Sequence, residues 1–254
     1  MEQPRHPPIA RSNYRVLILF HGYALAHTIR PLVVGRALAE RGYDVVFAGR
    51  GPHAGRIEAE GFALHDVETM PQERMDRYVS QGNYNYYDME WTDRCVSAER
   101  ALVQRLRPHL LVHDMRPTAP ITASLEGVDE IRITQAYNHP AYKQPFEIPE
   151  GWISELGPFE EYLLQRASQV QHRRQINALA DVPQYHPVSR NLPGYYYVGS
   201  LLDRPDAPDR LPLLDEGWDL DLPLVYLTCG SSGREPDYLK ELVEAVATEP
   251  LRLF

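Results

Sequence analysis

The chain has 254 residues, 43% hydrophobic and 24% charged, an ordinary globular balance with room for one large domain or two small ones. A formal net charge of −9 excludes the basic face that a nucleic-acid groove or an anionic membrane surface requires. No stretch reaches the roughly 18 apolar residues of a spanning helix; residues 1–13 are Pro-rich and polar with no apolar signal run, so a soluble, cytoplasmic protein with a disordered lead-in is expected.

Tyr14 to Phe20 is a first strand, and its Val16 to Phe20 is apolar throughout, as in a parallel strand covered on both faces. The loop His21-Gly22-Tyr23-Ala24-Leu25-Ala26-His27 follows. A helical pattern comes next, with Ile29, Leu32, Val33, Arg36, Ala37 and Leu38 near i, i+3, i+4 spacing. Gly42 stands where a helix C-terminal glycine belongs, and Asp44 to Ala48 reads as the next parallel strand. Residues 52–60 predict a short helix with Pro52 at its first position, Phe62 to Val67 a third strand, and 68–90 an irregular binding loop or lid. An amphipathic helix over 91–106 carries Cys95, Ala98, Leu102 and Leu106 as its apolar stripe and ends at Pro108. His109 to His113 is a fourth strand, with Asp114 to Thr118 as its exit loop. A small-residue helix runs to Leu125, and Glu130 to Thr134 is a fifth strand. A long loop over 135–155, a helical pattern over 156–180 and a late strand Tyr195 to Val198 close the first domain, 14–199. Residues 200–222, rich in proline and acids, read as a linker. Residues 223–254 then restart the plan with strand, Gly-Ser turn and helix, and reach a last apolar segment at Leu251 to Phe254. The expected fold class is α/β: a doubly wound, Rossmann-like parallel sheet followed by an incomplete second domain of the same kind.

Three constellations could carry chemistry. His27 stands at the carboxyl end of a strand and the mouth of a helix, where open α/β sheets place ligands, and imidazole suits a general base. Asp114 ends another strand of the same sheet; it could hold the far nitrogen of His27, or merely cap the following helix in competition with Thr118. Gly230-Ser231-Ser232-Gly233 offers backbone N–H groups, hydroxyls and a helix start to an anion, although neither a GxGxxG nor a GxxxxGK[ST] motif occurs. His139 is a reserve base. Tyr84, Tyr86 and Tyr87 could stack on a ligand or simply cover the core edge. His109 and His113 would lie about 13 Å apart on one strand face, too far to share a metal. Cys95 and Cys229 match no metal spacing and read as reduced, buried thiols.

In order and spacing, Val16 to Phe20, Ala26-His27-Thr28-Ile29-Arg30-Pro31-Leu32, Arg36 to Phe47, Asp114 to Thr118, Tyr137-Asn138 with Pro140, Pro193 to Gly199 and Leu224 to Gly233 resemble glycosyltransferases of the GT-B fold. The closer likeness is to the plant and antibiotic nucleotide-sugar family. The resemblance implies that 14–199 is an acceptor-binding half and 223–254 the start of a donor half. It further implies inverting sugar transfer, with the matched His27 as base, Asp114 as its holder, Gly230, Ser231, Ser232 and Gly233 on the donor diphosphate, and Tyr137 and Asn138 near the acceptor, the ligand on which Tyr84 and Tyr86 would stack. It implies a UDP- or dTDP-linked co-substrate, a small-molecule acceptor, no metal or other cofactor, and a possible partner chain supplying the rest of the donor half. Here Ala26 precedes the histidine where the family commonly has glycine, and Pro31 follows four residues on rather than three. The donor signature of the family is not found. Two alternatives remain at this level: a non-catalytic acceptor-binding or helper subunit, and another GT-B enzyme such as a sugar-nucleotide epimerase.

Overall fold

A computed structural model describes residues 10–79, 88–142, 175–190, 192–202, 224–225, 241, 244–245 and 252–253. The elements are β1 (Arg15–Leu19), α1 (Ala26–Ala39), β2 (Asp44–Ala48), α2 (Gly55–Ala59), β3 (Ala63–His65), α3 (Gln72–Val79), α4 (Met89–Leu106), β4 (Leu110–Asp114), α5 (Ala119–Glu126), β5 (Asp129–Thr134), β6 (Gln175–Leu179), β7 (Tyr195–Tyr197), β8 (Leu224–Val225) and β9 (Arg252–Leu253). Single 3₁₀ turns lie at Arg11–Asn13, inside the expected lead-in, and at Ala136–Asn138.

Seven strands form one parallel sheet in the order β3-β2-β1-β4-β5-β6-β7, the doubly wound α/β class expected. Strand order reverses between β1 and β4, which are neighbours, Leu19 facing His113 in register. The carboxyl ends of these two strands therefore form the topological switch point, the crevice position of such sheets. A separate two-stranded parallel pair joins β8 and β9.

Alternation along β1 divides the core in two. Leu17 and Leu19 pack with Val46, Ala48, Leu102, Val103, Leu111 and Ala119, on the face covered by α4 and α5. Val16, Ile18 and Phe20 pack with Leu32, Phe47, Ile57 and Val112, on the face covered by α1 and α2. Along β4, Val112 belongs to the α1 face, so the same parity turns Asp114 toward α1.

Several local expectations shift. The buried positions of α1 are Thr28, Arg30, Pro31, Leu32 and Gly35, not the stripe expected from Ile29 onward. Gly35 sets this rotation: a Cβ there would lie 2.4 Å from Phe47 Cζ, so the bare backbone brings the helix down on the sheet. Pro52 lies in the turn before α2 rather than at its first position. The stretch 68–90 is not wholly irregular. It contains α3, stabilised by i, i+4 pairs, Gln72 Nε2 donating to Asp76 Oδ1 at 2.8 Å and Arg74 Nη2 to the Tyr78 hydroxyl at 3.4 Å. It also contains the start of α4, N-capped by Asp88, whose Oδ1 accepts from Trp91 N at 2.9 Å. The helical pattern read over 156–180 does not hold at 175–179, because Gln175–Leu179 is strand β6, paired on both sides to β5 and β7. Long-range pairing overrides a weak local period there. Residues 156–174, 203–222 and the Gly230 to Gly233 turn lie outside the described residues.

Two glycines fasten the loops at the switch point. Gly22 N donates to Arg50 O at 2.9 Å, and His53 N to Gly22 O at 3.1 Å. Gly51 adopts φ +134°, and a Cβ on it would lie 2.2 Å from the Gly22 carbonyl carbon. The β1–α1 and β2–α2 loops thus meet backbone to backbone, an approach that side chains forbid.

Candidate active site

The β1–α1 turn delivers His27 in the first turn of α1, after hydrogen bonds from His27 N to Ala24 O and from Ile29 N to Leu25 O start the helix. Pro31 has no N–H to return to the His27 carbonyl, so the first turn is not closed at that position. Asp114 is the last residue of β4 rather than part of its exit loop. Met115 then takes φ +52°, a left-handed conformation unusual for a non-glycine residue, and reverses the chain. Asp114 consequently faces α1, while Arg116, two residues on, is buried toward α4.

The two predicted residues meet. His27 Nδ1 lies 2.9 Å from Asp114 Oδ1, with side-chain exposures of 22% and 2%: a partly open imidazole over a buried carboxylate. Asp114 does not cap α5. The N-cap there is Thr118, which makes no capping hydrogen bond and instead donates to Glu99 Oε1 at 2.6 Å.

A third member was not expected. Arg30 Nη2 lies 3.1 Å from Asp114 Oδ1 and 2.6 Å from His27 Nδ1. Its Nε is 2.8 Å from Asp114 Oδ2, an ion-pair contact without hydrogen-bond alignment. The available signal was spacing: three residues after His27, Arg30 shares its helix face one turn on. A buried guanidinium beside a carboxylate fixes it in place through charge-assisted contacts.

Behind this group sits a buried hub. Arg116 donates through Nε and Nη2 to Glu99 Oε1 at 3.1 and 2.6 Å, through Nη1 to Thr69 Oγ1 at 2.7 Å and through Nη2 to Glu68 O at 2.9 Å. Thr122 Oγ1 donates to Glu99 Oε2 at 2.6 Å. Both charged side chains are fully buried. Glu99 thus ties α4, the β4–α5 turn that follows Asp114, and α5 at one point.

His21, at the end of β1, is also buried, with Nε2 unpartnered. Burial first, then the charges of Arg116 and His27, push its pKa down to about 3. A folded-state value below the ordinary 6.5 means that the unfolded chain binds the proton first as pH falls. Its contribution to stability is complete above about pH 6.5 and is lost between there and pH 3, at no more than about 1.4 kcal/mol per pH unit. Urea titrations from pH 7 to pH 4 will show this acid loss, and His21→Gln will flatten it; an unchanged slope in the variant would assign the loss elsewhere.

The other candidates are placed as follows. His139 is buried, its Nδ1 accepting from Ala141 N at 2.9 Å and its ring tilted against Tyr195 at 4.4 Å, with burial pushing its pKa down. So enclosed, it offers no open face to a hydroxyl and does not serve as the reserve base. Asn138 lies in the 3₁₀ turn after β5, at the same sheet edge, and donates to Thr134 Oγ1 at 3.0 Å. The Tyr137 side chain, Tyr84, Tyr86, Tyr87, Cys229 and Gly230, Ser231, Ser232 and Gly233 lie outside the described residues. His109 Nδ1 accepts from Arg15 N at 3.0 Å, and His113 pairs with Glu130 at 2.9 Å in the core. Cys95 is buried and its thiol pushed up to about 11 by burial. Among the described residues, no group of three or more His, Cys, Asp and Glu could hold a metal ion, and no helix is long and apolar enough to cross a membrane.

No protein-family model matches the chain. It is 26% identical, over 96% of its length, to the PGL/p-HBAD biosynthesis glycosyltransferase of Mycobacterium tuberculosis and to the PGL/p-HBAD biosynthesis rhamnosyltransferase of Mycobacterium bovis. The chain spans 63% and 60% of the length of these curated relatives. Among solved structures it is similar to the Streptomyces glycosyltransferase SsfS6 complexed with thymidine diphosphate (TM-score 0.54, 16% identity, 95% of this chain and 67% of that one). It is likewise similar to Arabidopsis thaliana UGT89C1 complexed with UDP-L-rhamnose (TM-score 0.57, 15% identity, 94% and 64%). The fold is that of GT-B glycosyltransferases.

Proposed function

We propose that this chain, built on the glycosyltransferase fold, supplies the acceptor-activating half of an inverting nucleotide-sugar-dependent glycosyltransferase working in the cytoplasm. The observation that carries the reading is the His27–Asp114 pair, 2.9 Å apart at the switch point of the sheet. An acceptor hydroxyl gives its proton to His27 Nε2, and the freed oxygen pair attacks the anomeric carbon from the side opposite the leaving group. The nucleoside diphosphate departs with the bonding electrons, so the anomeric configuration inverts. In the reacting state Nδ1–H donates to Asp114, which stabilises the imidazolium without itself taking the proton. Gly230, Ser231, Ser232 and Gly233 contact the leaving diphosphate through N–H and hydroxyl donors. Tyr84, Tyr86, Tyr137 and Asn138 border the acceptor. No metal or other cofactor enters this scheme.

The donors to try first are UDP- and dTDP-linked sugars, rhamnose included. The acceptors to try first are those of the relatives named for PGL/p-HBAD biosynthesis. Incubation of the protein, together with a separately supplied donor half, with these pairs, followed by mass spectrometry and by NMR of the anomeric linkage, should give an inverted glycoside at a rate unchanged by EDTA. A retained configuration, or a rate abolished by EDTA and restored by a divalent cation, would overturn the mechanism. Acceptor binding without transfer, even with a separately supplied donor half, would favour the helper-subunit reading. Tight sugar-nucleotide binding with no acceptor use would favour the epimerase reading.

A further inference from the structure

We propose that Arg30 sets the tautomer of His27: in the free chain its guanidinium donates to Nδ1, so the neutral imidazole carries its proton on Nε2, the nitrogen that must be bare to act as a base. The inference rests on the reading of His27 as that base. Three atoms form a closed triangle, Arg30 Nη2 to His27 Nδ1 at 2.6 Å, His27 Nδ1 to Asp114 Oδ1 at 2.9 Å and Arg30 Nη2 to Asp114 Oδ1 at 3.1 Å.

A guanidinium nitrogen can only donate, a carboxylate can only accept, and a neutral Nδ1 holds either a proton or a lone pair. With Nδ1 protonated, its N–H points to Asp114, and the shortest side of the triangle sets one N–H against another. With Nδ1 bare, the two hydrogens of Arg30 Nη2 serve Nδ1 and Oδ1 together. The conflict then moves to the longer His27–Asp114 side, where two acceptors face each other. At 2.6 Å the Nη2–Nδ1 side leaves no room for a hydrogen on each nitrogen, so one of the two must accept, and a guanidinium nitrogen cannot. Asp114 keeps Arg30 as its ion-pair partner in both arrangements, through the 2.8 Å Nε–Oδ2 contact.

Proton uptake at Nε2 by this tautomer is impossible, since Nε2 is already occupied. The imidazolium, moreover, has no lone pair left at Nδ1 to receive Arg30. The base therefore becomes competent when Nη2 withdraws onto Asp114 alone and the ring proton moves to Nδ1. Arg30 acts through His27 and is a positioning residue.

The test is spectroscopic and needs no turnover. The full chain, labelled with ¹⁵N-histidine, is examined by long-range ¹⁵N–¹H imidazole correlation, well above the ordinary imidazole pKa of about 6.5. The His27 signals are identified by their loss in His27→Gln. Expected are a His27 Nδ1 resonance at the position of a bare ring nitrogen and a protonated Nε2. In Arg30→Met the two should exchange, Nδ1 becoming the protonated nitrogen through Asp114. Should Arg30→Met fail to fold, a through-hydrogen-bond ¹⁵N–¹⁵N coupling between Arg30 Nη2 and His27 Nδ1, sought in the unsubstituted chain labelled also with ¹⁵N-arginine, decides instead, and its absence would overturn the assignment. A protonated Nδ1 in the unsubstituted chain, or a tautomer unmoved in the folded variant, would overturn the assignment. Sugar transfer can fail with the tautomer as stated, and the reverse, so the two readings are separable.

Discussion

His27→Ala will lower sugar transfer by about 10²–10⁴-fold, the usual contribution of a positioned general base, while moving stability by no more than about 1 kcal/mol. The side chain is 22% exposed, so its loss opens little space in the core. Asp114→Asn is expected to behave differently. It will lower turnover on a similar scale by failing to stabilise the imidazolium. It will also cost about 3 kcal/mol of stability, since Arg30 is left buried without its counter-charge. Initial rates at saturating donor, paired with chemical denaturation, separate the two effects. Turnover in His27→Ala within a few-fold of the unsubstituted protein would remove His27 from the mechanism.

The second large effect is structural. Glu99→Leu or Arg116→Met alone will destabilise the chain by about 3–5 kcal/mol, because each leaves the other's charge without its counter-charge in a site with no access to water. Replacing both, as in Glu99→Leu with Arg116→Met, will recover much of that loss, since a buried ion pair gains little over apolar packing of similar volume. Denaturant midpoints across the four chains give the coupling directly. Additive losses in the double variant would show that the two side chains act separately. Transfer should fall with stability in the single variants, because the turn that follows Asp114 hangs from Glu99 through Thr118.

Much of this arrangement is legible in the chain itself. The run from Val16 to Phe20 is apolar without alternation because both sheet faces are covered, and β2 falls at Asp44–Ala48 as expected. With two strands of one sheet in hand, the residues at their carboxyl ends could be paired before any coordinates: His27 with Asp114. Arg30 and Glu99 were hidden for a common reason, while Arg116 sits in the turn between β4 and α5, where a charge ordinarily faces solvent. A charged residue on an amphipathic helix reads as solvent-facing, yet Glu99 occupies a core position of α4 between Cys95 and Leu102. Only the partner brought in by the fold makes its burial tolerable. β6 was hidden differently. Its five residues include a buried Asn177, and neither strand alternation nor length marks it; the pairing with β5 and β7 does.

The backbone contact between Gly22 and Gly51 also bears on redesign. Loops at a sheet edge are usually treated as interchangeable parts, swapped one at a time to change what a scaffold recognises. Here the segment leading to His27 is seated on its neighbour with no side chain between them. A transplanted β1–α1 loop would need the β2–α2 loop to travel with it, so the two form a single heritable cassette.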